Sequence, residues 1–111
     1  MRYSDWEVVL ASETVAAEIE GLPADMQASY LRLAELLEEF GPFALGMPYV
    51  RPLEDKLWEM RMRGRDGIAR GIYVMHRGKK LVILHVFIKK SQKTPKKALA
   101  TAKQRLKELN S

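Results

Sequence analysis

The chain has 111 residues, 47% of them hydrophobic, and a formal net charge of +5, enough for one modest core, so a single domain over residues 1–111 is expected. It has no cysteine, which excludes disulfides, a thiolate nucleophile and Cys-based zinc sites, and its two histidines, His76 and His85, lie too far from further ligands to make a metal cluster. No run reaches the roughly 20 apolar residues that cross a bilayer, and Asp5 and Glu7 break any signal-peptide pattern, so a cytoplasmic protein with no membrane partner is expected.

Trp6 to Leu10 is a short β-prone apolar run and predicts a first strand. Ser12 then reads as the cap of a short helix from Glu13 to Glu20, stopped by Gly21. Pro23 opens a second helix to Phe40, where Met26, Tyr30, Leu33, Leu37 and Phe40 recur at three- and four-residue steps and predict a core-facing stripe. Helices so closely joined predict an antiparallel hairpin. Gly41 to Pro52, with three prolines and two glycines, reads as a loop.

The period then changes from helical to alternating. Leu57 to Arg63, Ile68 to His76 and Leu81 to Lys89 read as three strands joined at Gly64–Gly67 and Arg77–Lys80, which predicts an antiparallel meander. Thr94 and Pro95 read as an N-cap and first helical residue, opening a last helix to Leu109 whose Leu99, Ala102, Leu106 and Leu109 can face the sheet. The order β-α-α-β-β-β-α describes an α+β domain: helices packed on an antiparallel sheet.

Charge is segregated along the chain. Residues 1–47 carry two basic and nine acidic groups, residues 48–111 seventeen basic and five acidic, which suggests a basic face that attracts polyanions. Lys89, Lys90 and Lys93 fall where the last strand runs toward the positive end of the last helix, a setting suited to phosphate. Strict alternation puts Glu59, Arg61 and Arg63 on one side of their strand, and His85, Phe87 and Lys89 together on theirs. Arg70, inside an otherwise apolar strand, needs either an ion pair, with Glu59 as the candidate, or a phosphate to grip. Gly71 beside it permits close approach of a ligand or of a packed side chain. His85 reads as a hydrogen-bonded core histidine or a proton acceptor, and Tyr73 as a core aromatic or a base-stacking platform. The available chemistry is cationic: lysine and arginine can hold a scissile phosphate, and RNA brings its own nucleophile in the 2′-hydroxyl, so no metal is required.

Three stretches resemble a known family. Leu57-Trp-Glu-Met-Arg61, Gly67-Ile-Ala-Arg-Gly-Ile-Tyr73 and Leu84-His-Val-Phe-Ile-Lys-Lys-Ser-Gln-Lys-Thr-Pro95 are similar, in order, to motifs of the HigB-like, phage-derived branch of the RelE/ParE toxin superfamily. The resemblance implies a RelE-like fold and the toxin of a type II toxin–antitoxin pair. It further implies a ribosome-dependent mRNA endoribonuclease, with mRNA, the ribosome and a helix-turn-helix antitoxin as partners. By motif, it implies catalytic roles for Arg61, Arg70, Lys90 and His85, and RNA or phosphate contacts for Lys89, Lys93, Phe87, Arg63 and Tyr73. The C-terminal tyrosine of some RelE relatives has no counterpart after Tyr73, which leaves the general base open. Two other readings share this fold or basic face: a ParE-like gyrase inhibitor, and a nucleic-acid-binding module without catalysis.

Overall fold

The switch from helical to alternating periodicity after Pro52 separates two helices, Glu13–Glu20 and Ala24–Phe40, from the strands of the sheet face that they cover. A computed structural model describes residues 4–46, 48–89 and 93–110. In chain order these are β1 (Glu7–Leu10), α1 (Glu13–Glu20), α2 (Ala24–Phe40), β2 (Val50–Pro52), β3 (Leu57–Gly64), β4 (Gly67–His76), β5 (Lys80–Lys89) and α3 (Lys96–Asn110). They form an α+β fold consistent with the RelE-like one. Sheet order is β1-β5-β4-β3-β2.

The sheet departs from the expected one in two respects. Val50–Pro52, read as loop, forms an edge strand antiparallel to β3, pairing Arg51 with Glu59. In addition β1 runs parallel to β5, so the sheet is mixed rather than purely antiparallel. Neither follows from alternation: β2 is three residues long and contains Pro52, and strand partnership is a long-range choice.

Each face has its own core. Val15 and Ile19 of α1 and Met26, Tyr30, Leu33 and Leu37 of α2 pack on Met60, Met62, Ala69, Tyr73, Leu81, Ile83 and Val86. On the other face Ala98 and Ala102 of α3, flanked by Leu99, Leu106 and Leu109, pack on Leu57, Ile72, Val74, Val82 and Leu84. Gly71 belongs to the first face, where an added Cβ would lie 2.9 Å from Cγ of Met60, so its small size serves packing and not a ligand.

A β-bulge corrects the expected face assignment of β5. Ile72 pairs with His85 but Tyr73 pairs with Ile83, which leaves Leu84 as the extra residue. Before the bulge, Leu81 and Ile83 face α1 and α2; after it, Val86 takes that face. Phe87 therefore turns to the α3 side with Val82 and Leu84, instead of sharing a face with Leu81 and Ile83 as strict alternation requires.

Tyr73 is fully buried beneath α1 and α2, and its hydroxyl makes no hydrogen bond among the described residues. Burial pushes its ionisation well above the usual phenol range. A buried hydroxyl without a partner costs about 1–3 kcal/mol, so Tyr73→Phe should raise unfolding free energy by about 1 kcal/mol in urea titrations while toxicity is kept. Loss of toxicity in a folded Tyr73→Phe variant would return this hydroxyl to the functional site.

Candidate functional site

Glu59 lies on β3 on the α3 side of the sheet, wholly removed from solvent. A carboxylate buried this deeply must be neutralised and hydrogen-bonded. Its Oε1 accepts from Nη1 of Arg70 at 3.0 Å and from Nε of Arg51 at 3.1 Å, and its Oε2 accepts from the Thr94 hydroxyl at 2.6 Å. Arg51 closes the network by donating from Nη2 to Thr94 Oγ1 at 3.3 Å. The carboxylate thus ties β2, β3 and β4 to the segment leading into α3.

Arg70 is 4% exposed and makes the expected ion pair with Glu59. Thr94, expected to cap α3, spends its hydroxyl on Glu59 instead, and the helix proper begins at Lys96. Around the carboxylate the cations outnumber it. Arg61 pairs with Arg70 across β3 and β4, and Lys89 ends β5 near both. Lys89 is 7% exposed, and burial lowers its pKa, with the nearby Arg70 guanidinium adding to the effect and Glu59 opposing it. Arg70 is lowered chiefly by its own burial, again against Glu59. Four cations around one carboxylate leave an excess positive charge at a nearly closed site, the setting for an anion.

The structure thus brings Arg61, Arg70, Lys89 and Phe87 to one face, with Phe87 directly opposite Arg70 in register. Lys93 is exposed just before Thr94. Lys90 lies outside the described residues. His85 lies beside Phe87 but is engaged by partners outside the Glu59 network. Its Nδ1 is 3.0 Å from Oε2 of Glu18 on α1, and its ring stacks on Phe87 with centroids 5.0 Å apart. Nη1 of Arg105 lies 3.3 Å from the same nitrogen, so the ring tautomer sets whether Nδ1 donates to Glu18 or accepts from Arg105. Glu18 also accepts from the Val86 amide at 2.9 Å and from Arg105 of α3, which in turn donates to the carbonyl of the bulged Leu84 at 2.9 Å. Arg63 lies farther along β3, exposed, with its backbone carbonyl accepting from the Ser29 hydroxyl of α2 at 2.6 Å. Tyr73, expected as a possible stacking platform, is sealed in the core on the opposite face.

Sequence reading overlooked Arg51, Glu18 and Arg105. Arg51 sat in an assumed loop, and the other two lie 67 and 20 residues from His85. Thr94 carried a signal, a polar residue before a helix start, but its real acceptor is 35 residues away.

Residues 17–107 match the family described as "Phage derived protein Gp49-like (DUF891)". The chain belongs to the Gp49-like family. Gp49-like proteins form a RelE/HigB-like toxin family associated with toxin–antitoxin systems, so an antitoxin is the implied partner. The Gp49-like match runs from α1 to α3 and spans every residue around Glu59. No curated protein matches the chain. Among the described residues no helix is long and apolar enough to cross a membrane.

Removing the buried charge leaves its cations facing one another. Glu59→Gln should destabilise the Gp49-like domain by about 3 kcal/mol, measured by urea unfolding, since breaking a buried pair costs about 3–5 kcal/mol; a change below about 0.5 kcal/mol would show that the network does not hold the fold. Lys89 has the opposite linkage to an ordinary paired lysine. Its folded pKa lies below 10.5, so between the two values the unfolded chain binds more protons and stability rises with pH. Lys89→Met should flatten that rise in chemical denaturation at stepped pH, and an unchanged slope would assign it to other groups.

Proposed function

We propose that this Gp49-like toxin is a HigB-like, ribosome-dependent endoribonuclease of translated mRNA, acting in the cytoplasm and silenced by a helix-turn-helix antitoxin. One observation carries the reading: Arg51, Arg61, Arg70 and Lys89 gather around the single carboxylate of Glu59 beside the start of α3. A polyanion with its own nucleophile suits such a site better than a neutral substrate does.

In the proposed reaction the 2′-hydroxyl of the mRNA loses its proton and attacks the adjacent phosphorus. The new 2′-O–P bond forms as the P–O5′ bond breaks, the leaving 5′ oxygen gains a proton, and a 2′,3′-cyclic phosphate remains. Arg61, Lys90 and Lys93 hold the phosphate and offset charge growing on its oxygens. Lys89, nearly buried at the end of β5 beside Arg70, exchanges the protons. Arg70 acts mainly through Glu59, fixing the cluster, and Phe87 supports a base with His85 stacked behind it. The nucleophile comes from RNA and charge neutralisation from side chains, so these steps use no metal ion.

Expression without the antitoxin should arrest growth, and reporter transcripts should acquire cuts at codon boundaries only while being translated. Arg61→Gln is expected to relieve the arrest with circular dichroism unchanged. Intact messages accompanied by a DNA-damage response would replace the nuclease with a gyrase inhibitor.

A further inference from the structure

Arg32 is out of place. The two helices carry seven carboxylates and this single arginine, yet it makes no ion pair among the described residues, although Glu35 lies one helical turn away. Instead it lines a groove of about 200 Å³ between α2 and β3 whose other charged residues are Arg61 and Arg63. No carboxylate lines this groove. Neither Arg61 nor Arg63 makes an ion pair among the described residues, and Nε of Arg61 is buried without a hydrogen-bond partner there. Three arginines and no carboxylate line this cleft, an electropositive setting that favours an anion.

The rest of the lining narrows the class of anion. Leu33 and Leu36 supply an apolar wall, and Tyr49, 51% exposed, stands at the rim with its carbonyl held by the Arg61 amide at 2.9 Å. Cations beside an exposed aromatic match the alternation of phosphate and base in single-stranded nucleic acid. Arg61 also belongs to the cluster around Glu59, since its charge acts on Arg70 and Lys89. The groove is therefore continuous with the proposed cutting site by way of one residue.

We propose that the α2–β3 groove is a second RNA-binding site, in which Arg32 and Arg63 take a backbone phosphate and Tyr49 stacks a base of the mRNA flanking the cut. The proposal rests on the nuclease reading for the identity of the strand, and it predicts a binding footprint longer than the cutting site alone requires.

The test uses fluorescein-labelled 2′-O-methyl oligoribonucleotides of three and ten nucleotides, whose methyl group removes the nucleophile and separates binding from cleavage. Arg32→Gln should weaken the ten-mer about fivefold by fluorescence anisotropy and reduce the salt slope of its affinity by about 0.7, the value for one lost phosphate contact on a single strand. Tyr49→Ala should weaken the ten-mer with the slope unchanged, because stacking releases no counterion. Binding of the three-mer should stay at the wild-type level in both, and Lys107→Gln, on the exposed side of α3, should alter neither. If Arg32→Gln and Tyr49→Ala bind the ten-mer as wild type does while the wild type still cuts translated mRNA, the groove fails and the nuclease reading stands. If they lose ten-mer affinity but the wild type leaves mRNA whole, the groove stands and the nuclease reading fails. Variants that lose affinity for the antitoxin and keep it for the ten-mer would make the groove an acidic-peptide site and overturn the proposal.

Discussion

A single carboxylate buried at zero exposure organises the functional face. Glu59 cannot remain charged inside the fold unless several donors surround it, and the donors it recruits come from β2, β4 and the segment before α3. Those donors bring more positive charge than the carboxylate cancels. The same contact that locks the sheet edge to the start of the last helix therefore leaves an electropositive surface where an anion can bind. The one carboxylate is also why the surrounding cations can be buried at all.

The bulge at Leu84 is the second determinant. One extra residue in β5 turns Phe87 toward the α3 side, where it lies opposite Arg70. Without it the aromatic ring would share the face of Leu81 and Ile83 beneath α1 and α2. Arg105 and Glu18 occupy backbone groups at this irregularity, the carbonyl of Leu84 and the amide of Val86, so the polar groups that the bulge and the short β1 leave open are satisfied by side chains from both layers of helix. His85 is drawn into that bracket, beside Glu18 and stacked on Phe87.

Charge segregation along the sequence becomes spatial segregation only in part. The segment of α1 and α2 is acidic on the whole, but Glu18 pairs with Arg105, and Arg32 lines a groove together with Arg61 and Arg63. These exceptions link the two halves, one through an ion pair and the other through a shared groove.

Periodicity determined a great deal. The α2 stripe as far as Leu37, the three long strands, the turns between them and the terminal helix follow from where apolar residues recur, because burial of a face at period 3.6 or 2 is a local property of the chain. Phe40, expected to extend the stripe, is instead 47% exposed at the helix end. The family resemblance rested on residues that the Gp49-like match also covers. The Glu59–Arg70 pair was legible as one of two alternatives, since both sit in neighbouring strands and an arginine in an apolar strand needs a partner. What only tertiary structure decided were the parallel partnership of β1, the edge strand carrying Arg51, the bulge that re-aims Phe87, and the choice of Thr94 to donate to Glu59 rather than cap its helix. Each depends on atoms brought together from distant parts of the chain, and a side chain chooses among local and distant partners only once the fold has set the cost of leaving each one unpaired.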